Sequence, residues 1–224
     1  MSFFDNAVSY SGTALLVVLL YLLMRGPLGR YFPLFLYLLT YLMSSLAEAW
    51  GFRTYGYDSV QYRQIYWGGE LLVDLLLFFL VIALTLRALE GAPVRGPVMR
   101  FLLIVTAVVL ALPWVAFESR VFSTRWNNLV AELFNFGAAI MSLGLWTALL
   151  VSKRRDRQLL TVTAGLGFAV AGAAMTMAVR RYTANESVSR EAIDFVHRLL
   201  FIASELIWCW AFWPHRKAAE PQSQ

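Results

Sequence analysis

The chain predicts an all-α fold, a polytopic bundle of seven transmembrane helices, and three observations carry that expectation. Of its 224 residues, 59% are hydrophobic and only 15% are charged, whereas soluble domains carry about 25% charged residues. The mean hydropathy is +0.61. Seven apolar blocks, each near the roughly 20 residues that cross a hydrocarbon core of about 30 Å, are separated by charges or by Gly and Pro. Too little polar material remains to cover a water-facing surface. A cytosolic enzyme, a disordered chain and a secreted domain are thereby excluded.

The blocks are residues 7–24, 31–50, 67–89, 98–117, 129–151, 158–179 and 193–213. No Lys or Arg precedes the first block, and Arg25 follows it, so it reads as a span and not as a cleavable signal peptide. Arg25-Gly-Pro27 closes that block, and Gly91-Ala-Pro93 with Gly96-Pro97 separates the third from the fourth. The sixth is rich in Gly and Ala, and Gly167 with Ala171 forms a small-xxx-small pair, the signature of close helix packing. A re-entrant sixth segment, giving six spans, is the alternative. Residues 1–217 thus form one transmembrane domain and 218–224 a short polar tail. No connection is long enough to hold a soluble domain.

Nineteen basic and fourteen acidic residues leave a net charge of +5. The basic residues are dispersed between apolar blocks rather than gathered on one face, which argues against nucleic acid as a partner. Eleven lie on the side of the first, third and fifth connections and the C-terminus, against seven on the other side. The positive-inside rule then places the N-terminus outside and the C-terminus in the cytoplasm. Lys153, Arg154, Arg155 and Arg157 contribute most to this bias. They serve topology and contact with anionic lipid, or, on a sharper reading, dock a cytoplasmic protein. Cys209 is the one cysteine, so neither an intramolecular disulfide nor a thiolate metal cluster is available.

Charges at membrane depth cost roughly 2.5–3.5 kcal/mol each on insertion scales and usually face a bundle interior or a water-filled cavity. The candidates are Glu48, Glu70, Asp74, Glu132, Asp194, His197, Arg198 and Glu205, with Asn135 beside them. With the N-terminus outside, they concentrate in the outer half of the bilayer. Glu70 and Asp74 are one helical turn apart and share a face, and two such carboxylates need a cation. Asp194, Arg198, Phe201 and Glu205 fall on one stripe of the last helix, which proposes Arg198 as the shared counter-ion. The expected ligand-binding set is Tyr66, Glu70, Asp74, Glu132, Asn135, His197, Arg198 and Glu205. Ion pairing that holds helices together and, less readily, catalysis suit the same residues. The aromatic segment between Trp50 and Trp67, with Tyr55, Tyr57, Tyr62 and Tyr66, reads as an interfacial belt or as a lid over a pocket.

Several chemistries lack their residues. The lysines, Lys153 and Lys217, lie outside the blocks, which excludes a retinal Schiff base. Two histidines, His197 and His215, are too few for the seven-helix zinc hydrolases that include alkaline ceramidases and adiponectin receptors, and give no bis-histidine haem within the bundle. Neither Gly-x-Ser-x-Gly nor His-Glu-x-x-His occurs. Sugar transporters built from paired three-helix repeats share the layout, but Pro221-Gln222 in the tail is the one Pro-Gln here. No metal or other cofactor is expected. The segment Tyr62-Arg-Gln-Ile-Tyr66-Trp67-Gly-Gly-Glu70, entering an apolar helix and followed later by a basic inner turn, resembles a group of uncharacterised seven-helix membrane proteins of environmental bacteria. That resemblance implies a bacterial inner membrane and no particular activity.

The functional expectation is a sensor-like or ligand-binding membrane protein with an outer-facing polar pocket between helices 2, 3, 5 and 7, taking a small polar or cationic ligand. Proton- or cation-coupled transport through Glu70, Asp74 and Glu205 is the alternative. A membrane enzyme acting on lipid head groups, with His197 or a carboxylate as base, comes third.

Overall fold

The computed structural model describes residues 3–90, 95–116, 124–151, 156–182 and 187–213. Within them every regular element is a helix: α1 (Phe3–Arg25), α2 (Phe32–Tyr55), α3 (Val60–Ala88), α4 (Arg95–Ala116), α5 (Thr124–Val151), α6 (Arg157–Tyr182) and α7 (Ser187–Phe212). Six of these, α2 to α7, are long and apolar enough to cross a membrane. The chain is a multi-pass helical membrane protein, and α6 runs unbroken along its length.

The helices outrun the apolar blocks, most clearly where α2 meets α3. Between Trp50 and Trp67 only residues 56–59 lie outside a helix, so the aromatic segment is a pair of helix ends and not a loop-shaped lid. Apolar length measures the hydrocarbon, whereas backbone hydrogen bonding continues into the headgroup region, where Arg53, Gln61 and Arg63 can be solvated. Gly56 makes the reversal at φ 75°, a left-handed conformation that L side chains resist. Its N–H donates to the Phe52 carbonyl at 3.0 Å. The Ser59 hydroxyl oxygen then caps α3 by accepting the Tyr62 N–H at 3.0 Å.

Six helices close a ring in the order α1, α2, α3, α5, α6, α7, with α7 returning to α1. The fourth helix stands outside the ring against α5 and, lightly, α3. Its Phe101, Leu103, Ile104 and Val108 are exposed, as are Val17, Phe79, Ile140 and Phe168 elsewhere. Apolar surface this extensive suits lipid and not water. Inside the ring, Leu19, Leu34, Leu38, Phe78, Val81 and Leu166 form the centre of the core.

Two glycines set how closely α6 approaches α7. A Cβ on Gly165 would lie 2.5 Å from the Trp208 indole nitrogen, and one on Gly172 would lie 3.2 Å from Leu200. Trp208 Nε1 donates to the Val162 carbonyl at 2.8 Å, fixing the indole across the seam. The expected pair Gly167 and Ala171 points elsewhere: Gly167 sits beside Trp146 of α5 and Ala171 is exposed.

One end of the ring is fastened by polar contacts. Arg30 pairs with Asp156, and Arg87 donates to the Arg30 carbonyl. Both guanidinium groups lie over the buried Tyr31 ring, whose edge contacts Phe212. Asp156 also caps α6, its Oδ1 accepting the Leu159 N–H at 3.0 Å. The α1–α2 turn, the end of α3, the start of α6 and the end of α7 therefore meet at this end. The α2–α3 turn lies at the other. Lys153, Arg154, Arg155, Lys217 and the tail 218–224 lie outside the described residues.

Candidate functional site

Tyr62, Tyr66, Glu70 and Asp74 of α3 recur every four positions and so fall on one stripe. Asp74 stands fourteen residues from either end of α3, at mid-length of the helix. The opposing face of α2 carries Tyr37, Tyr41 and Glu48 at helical spacing. Where these stripes meet α5, α6 and α7, the side chains leave a cavity of about 180 Å³.

Tyr66, Glu70, Val73, Asp74 and Leu77 of α3 form one wall of this cavity, and Tyr37 with Tyr41 of α2 forms the adjoining one. Asn135 of α5 and His197 with Phe201 of α7 face them. The remaining wall is Ala169, Ala173 and Thr176 of α6, whose small side chains leave the space. Thr176 turns its hydroxyl back to the Gly172 carbonyl at 2.8 Å, as helix-borne threonines do in apolar surroundings. Tyr41 stacks on Phe201 with ring centroids 4.4 Å apart, so the carboxylates sit beside an aromatic surface.

The electrostatic character follows from which atoms are satisfied. Asp74 is 7% exposed, and its Oδ2 has no hydrogen-bond partner among the described residues. The Asn135 side-chain amide lies against the same carboxyl group. Asn135 Nδ2 donates to the Ala131 carbonyl at 2.9 Å, which fixes the amide orientation, and leaves its buried Oδ1 without a donor. Two buried acceptor oxygens thus line one cavity, and buried acceptors left without donors carry a desolvation cost. A ligand that donates hydrogen bonds, above all a cation, relieves both.

Of the expected site residues, the cavity gathers Tyr66, Glu70, Asp74, Asn135 and His197. Glu132, Arg198 and Glu205 are not among its lining residues. Glu132 is half-buried on α5, about one turn from Asn135. Arg198 is half-buried and makes no ion pair with Glu70 or Asp74 among the described residues. It lies instead within electrostatic range of the Tyr41 phenol. Glu205 is 1% exposed and packs toward α1, where a Cβ on Gly12 would be 3.7 Å from Oε2. The side chain of Asp194 lies outside the described residues. Tyr37, Tyr41, Phe201 and Thr176 complete the cavity and were not singled out as site residues. The four-residue spacing of Tyr37 and Tyr41 on the Glu48 side of α2 is the signal that points to the first two.

A smaller chamber of about 100 Å³ adjoins the cavity between α2 and α3. Ser44, Ser45, Glu48, Ile65 and Gly69 line it, and Tyr41, Tyr66, Glu70 and Val73 are common to both spaces. Tyr62 donates its hydroxyl hydrogen to Glu48 Oε1 at 3.1 Å, orienting that carboxylate. Among the described residues, no group of three or more His, Cys, Asp or Glu side chains is arranged to hold a metal ion.

No protein-family model matches the chain, and comparisons with curated proteins and with solved structures returned no significant match.

Proposed function

We propose that this protein is a sensor-like, ligand-binding membrane protein whose intramembrane cavity takes a small cationic ligand. The observation that carries this reading is the Asp74 carboxyl: buried, with Oδ2 unpartnered, on the wall of a cavity that Glu70 also lines. Holding an unsatisfied carboxyl in a membrane interior is costly, and a cation returns what its desolvation removes. Tyr37, Tyr41, Tyr66 and Phe201 supply aromatic surface to such a ligand.

The reading includes seven spans, an outside N-terminus, a cytoplasmic C-terminus and a bacterial inner membrane. The first helix is 23 residues long, about 34 Å at 1.5 Å per residue, and Tyr10–Arg25 is its apolar part. Basic Arg30, Arg87 and Arg157 collect at the fastened end of the ring, which suits the cytoplasmic face. The cavity then belongs to the outer half. Ligand binding would shift α7 relative to α3 across the cavity that both line, and the basic run from Lys153 to Arg157 would report that shift to a cytoplasmic partner.

Thermal unfolding of the protein in lipid nanodiscs, with and without n-butylammonium, tests the assignment. Wild type and Glu205→Gln, which lies outside the cavity, are expected to gain stability from the cation, and Asp74→Asn is expected to gain none. Equal stabilisation of wild type and Asp74→Asn would remove Asp74 from the site.

A further inference from the structure

The second chamber is unexplained by a ligand with one charge. Its wall carries a third carboxylate, Glu48, held in place by the Tyr62 hydroxyl, while Glu70 belongs to the walls of both spaces. Carboxylates therefore mark a path from the α2–α3 chamber inward: Glu48, then Glu70, then the half-satisfied Asp74. Glu70 and Asp74 are separated by about 6 Å along the axis of α3, four residues at 1.5 Å each. Between the Glu48 end and the Asp74 end the path is bounded by Tyr41, Tyr66 and Val73, surfaces suited to methylene groups and aromatic contact with cations. Close approach of α2 to α3 keeps the passage narrow, since a Cβ on Gly69 would lie 3.1 Å from Ser44.

A compact monocation placed between Asp74 and Glu70 leaves Glu48 without a role. Among the described residues no three His, Cys, Asp or Glu side chains are arranged to hold a metal ion. An elongated molecule with an ammonium group at each end of a short alkyl chain meets all three carboxylates and lays its apolar middle against the tyrosines. We infer that the two adjoining spaces form one bipartite site for a linear diamine or polyamine, with one ammonium group at Asp74 and Glu70 and the other at Glu48. The inference rests on the cation-binding reading of the cavity and deepens it.

Calorimetric titration of the nanodisc-embedded protein with putrescine and with n-butylamine, which share a four-carbon chain and differ in the second ammonium group, tests it. Putrescine is expected to bind about tenfold more tightly, the value of one further charge-assisted contact. Glu48→Gln is expected to remove that advantage and leave n-butylamine binding unchanged, which also shows that the variant folds. Tyr62→Phe, which frees Glu48 from its hydroxyl, is expected to lower putrescine affinity alone. Equal affinities for the two amines, or a putrescine advantage that survives Glu48→Gln, would overturn the bipartite site while leaving the inner cavity standing. Failure of both amines to bind wild type would overturn the cation-binding reading itself.

Discussion

Gly165 offers a sharp test of the packing that forms the site. A methyl group placed there would sit 2.5 Å from Nε1, 2.7 Å from Cδ1 and 3.0 Å from Cε2 of Trp208. The indole is fully buried, its Nε1 donates to Val162, and Tyr37 packs on it edge-on at 6.5 Å, so it has no free direction in which to swing. Gly165→Ala must therefore move α6 away from α7 or displace the indole. Overpacking of this kind costs about 1–3 kcal/mol, and stranding a buried donor costs about 1–3 kcal/mol more. The expected loss is roughly 2–6 kcal/mol, less up to about 1 kcal/mol of gained helix propensity, read as a lower midpoint in equilibrium unfolding of the protein in mixed micelles. Gly144→Ala is the control, because no other side chain lies within 4 Å of its added methyl group, and helix propensity favours it by up to about 1 kcal/mol. Trp208→Phe in the Gly165→Ala background is expected to recover part of the loss, since the clashing nitrogen is gone. Wild-type stability of Gly165→Ala, or losses that simply add in the double variant, would show that Trp208 does not limit how closely α6 approaches α7.

Other outcomes follow from the same contacts. Tyr31 sits one residue ahead of the spanning segment Phe32–Tyr55, and its phenol is pushed up to about 12, mainly by burial and then by Asp156, against the opposing pull of Arg30 and Arg87. The unfolded chain loses that proton near pH 10, before the folded one does, so stability present below pH 10 drains away as pH rises toward 12, by about 1.4 kcal/mol per unit. Tyr31→Phe is expected to flatten this loss in unfolding measured from pH 9 to 12. It should cost little at neutral pH, because the buried hydroxyl has no hydrogen-bond partner among the described residues. Glu205→Met removes a buried carboxyl whose two oxygens lack partners among the described residues, and is expected to raise unfolding stability by about 1–3 kcal/mol. A destabilised Glu205→Met would show that the carboxyl makes contacts the packing does not reveal.

The class was legible because apolar length and scarcity of charge are properties of the chain itself. So was the pairing of Glu70 with Asp74, since i and i+4 on one helix need no knowledge of neighbours. What a helix faces is a different matter. The stripe through Arg198, Phe201 and Glu205 divides in the folded ring: Phe201 closes the cavity, Glu205 turns toward Gly12 of α1, and Arg198 stays at the side. Helical spacing fixes relative direction on α7 but not the identity of the helix opposite. Tyr37 and Tyr41 do not stand out in the sequence, because aromatic residues inside an apolar block read as core. The extension of α3 back to Val60 was hidden for another reason: Gln61, Arg63 and Gln64 end the apolar block but not the helix. Asp74, expected in the outer half of the third span, thereby stands at mid-length of the helix.

The proposed cavity recognises charge on its ligand, met by Asp74. Calorimetric titration of the protein in nanodiscs with n-butylammonium and with n-butanol, similar in size and differing in charge, addresses it directly. Saturable binding of the cation, no measurable binding of the alcohol, and loss of cation binding in Asp74→Asn are expected. Equal binding of cation and alcohol, or cation binding undiminished in Asp74→Asn, would show that the cavity does not recognise charge through Asp74.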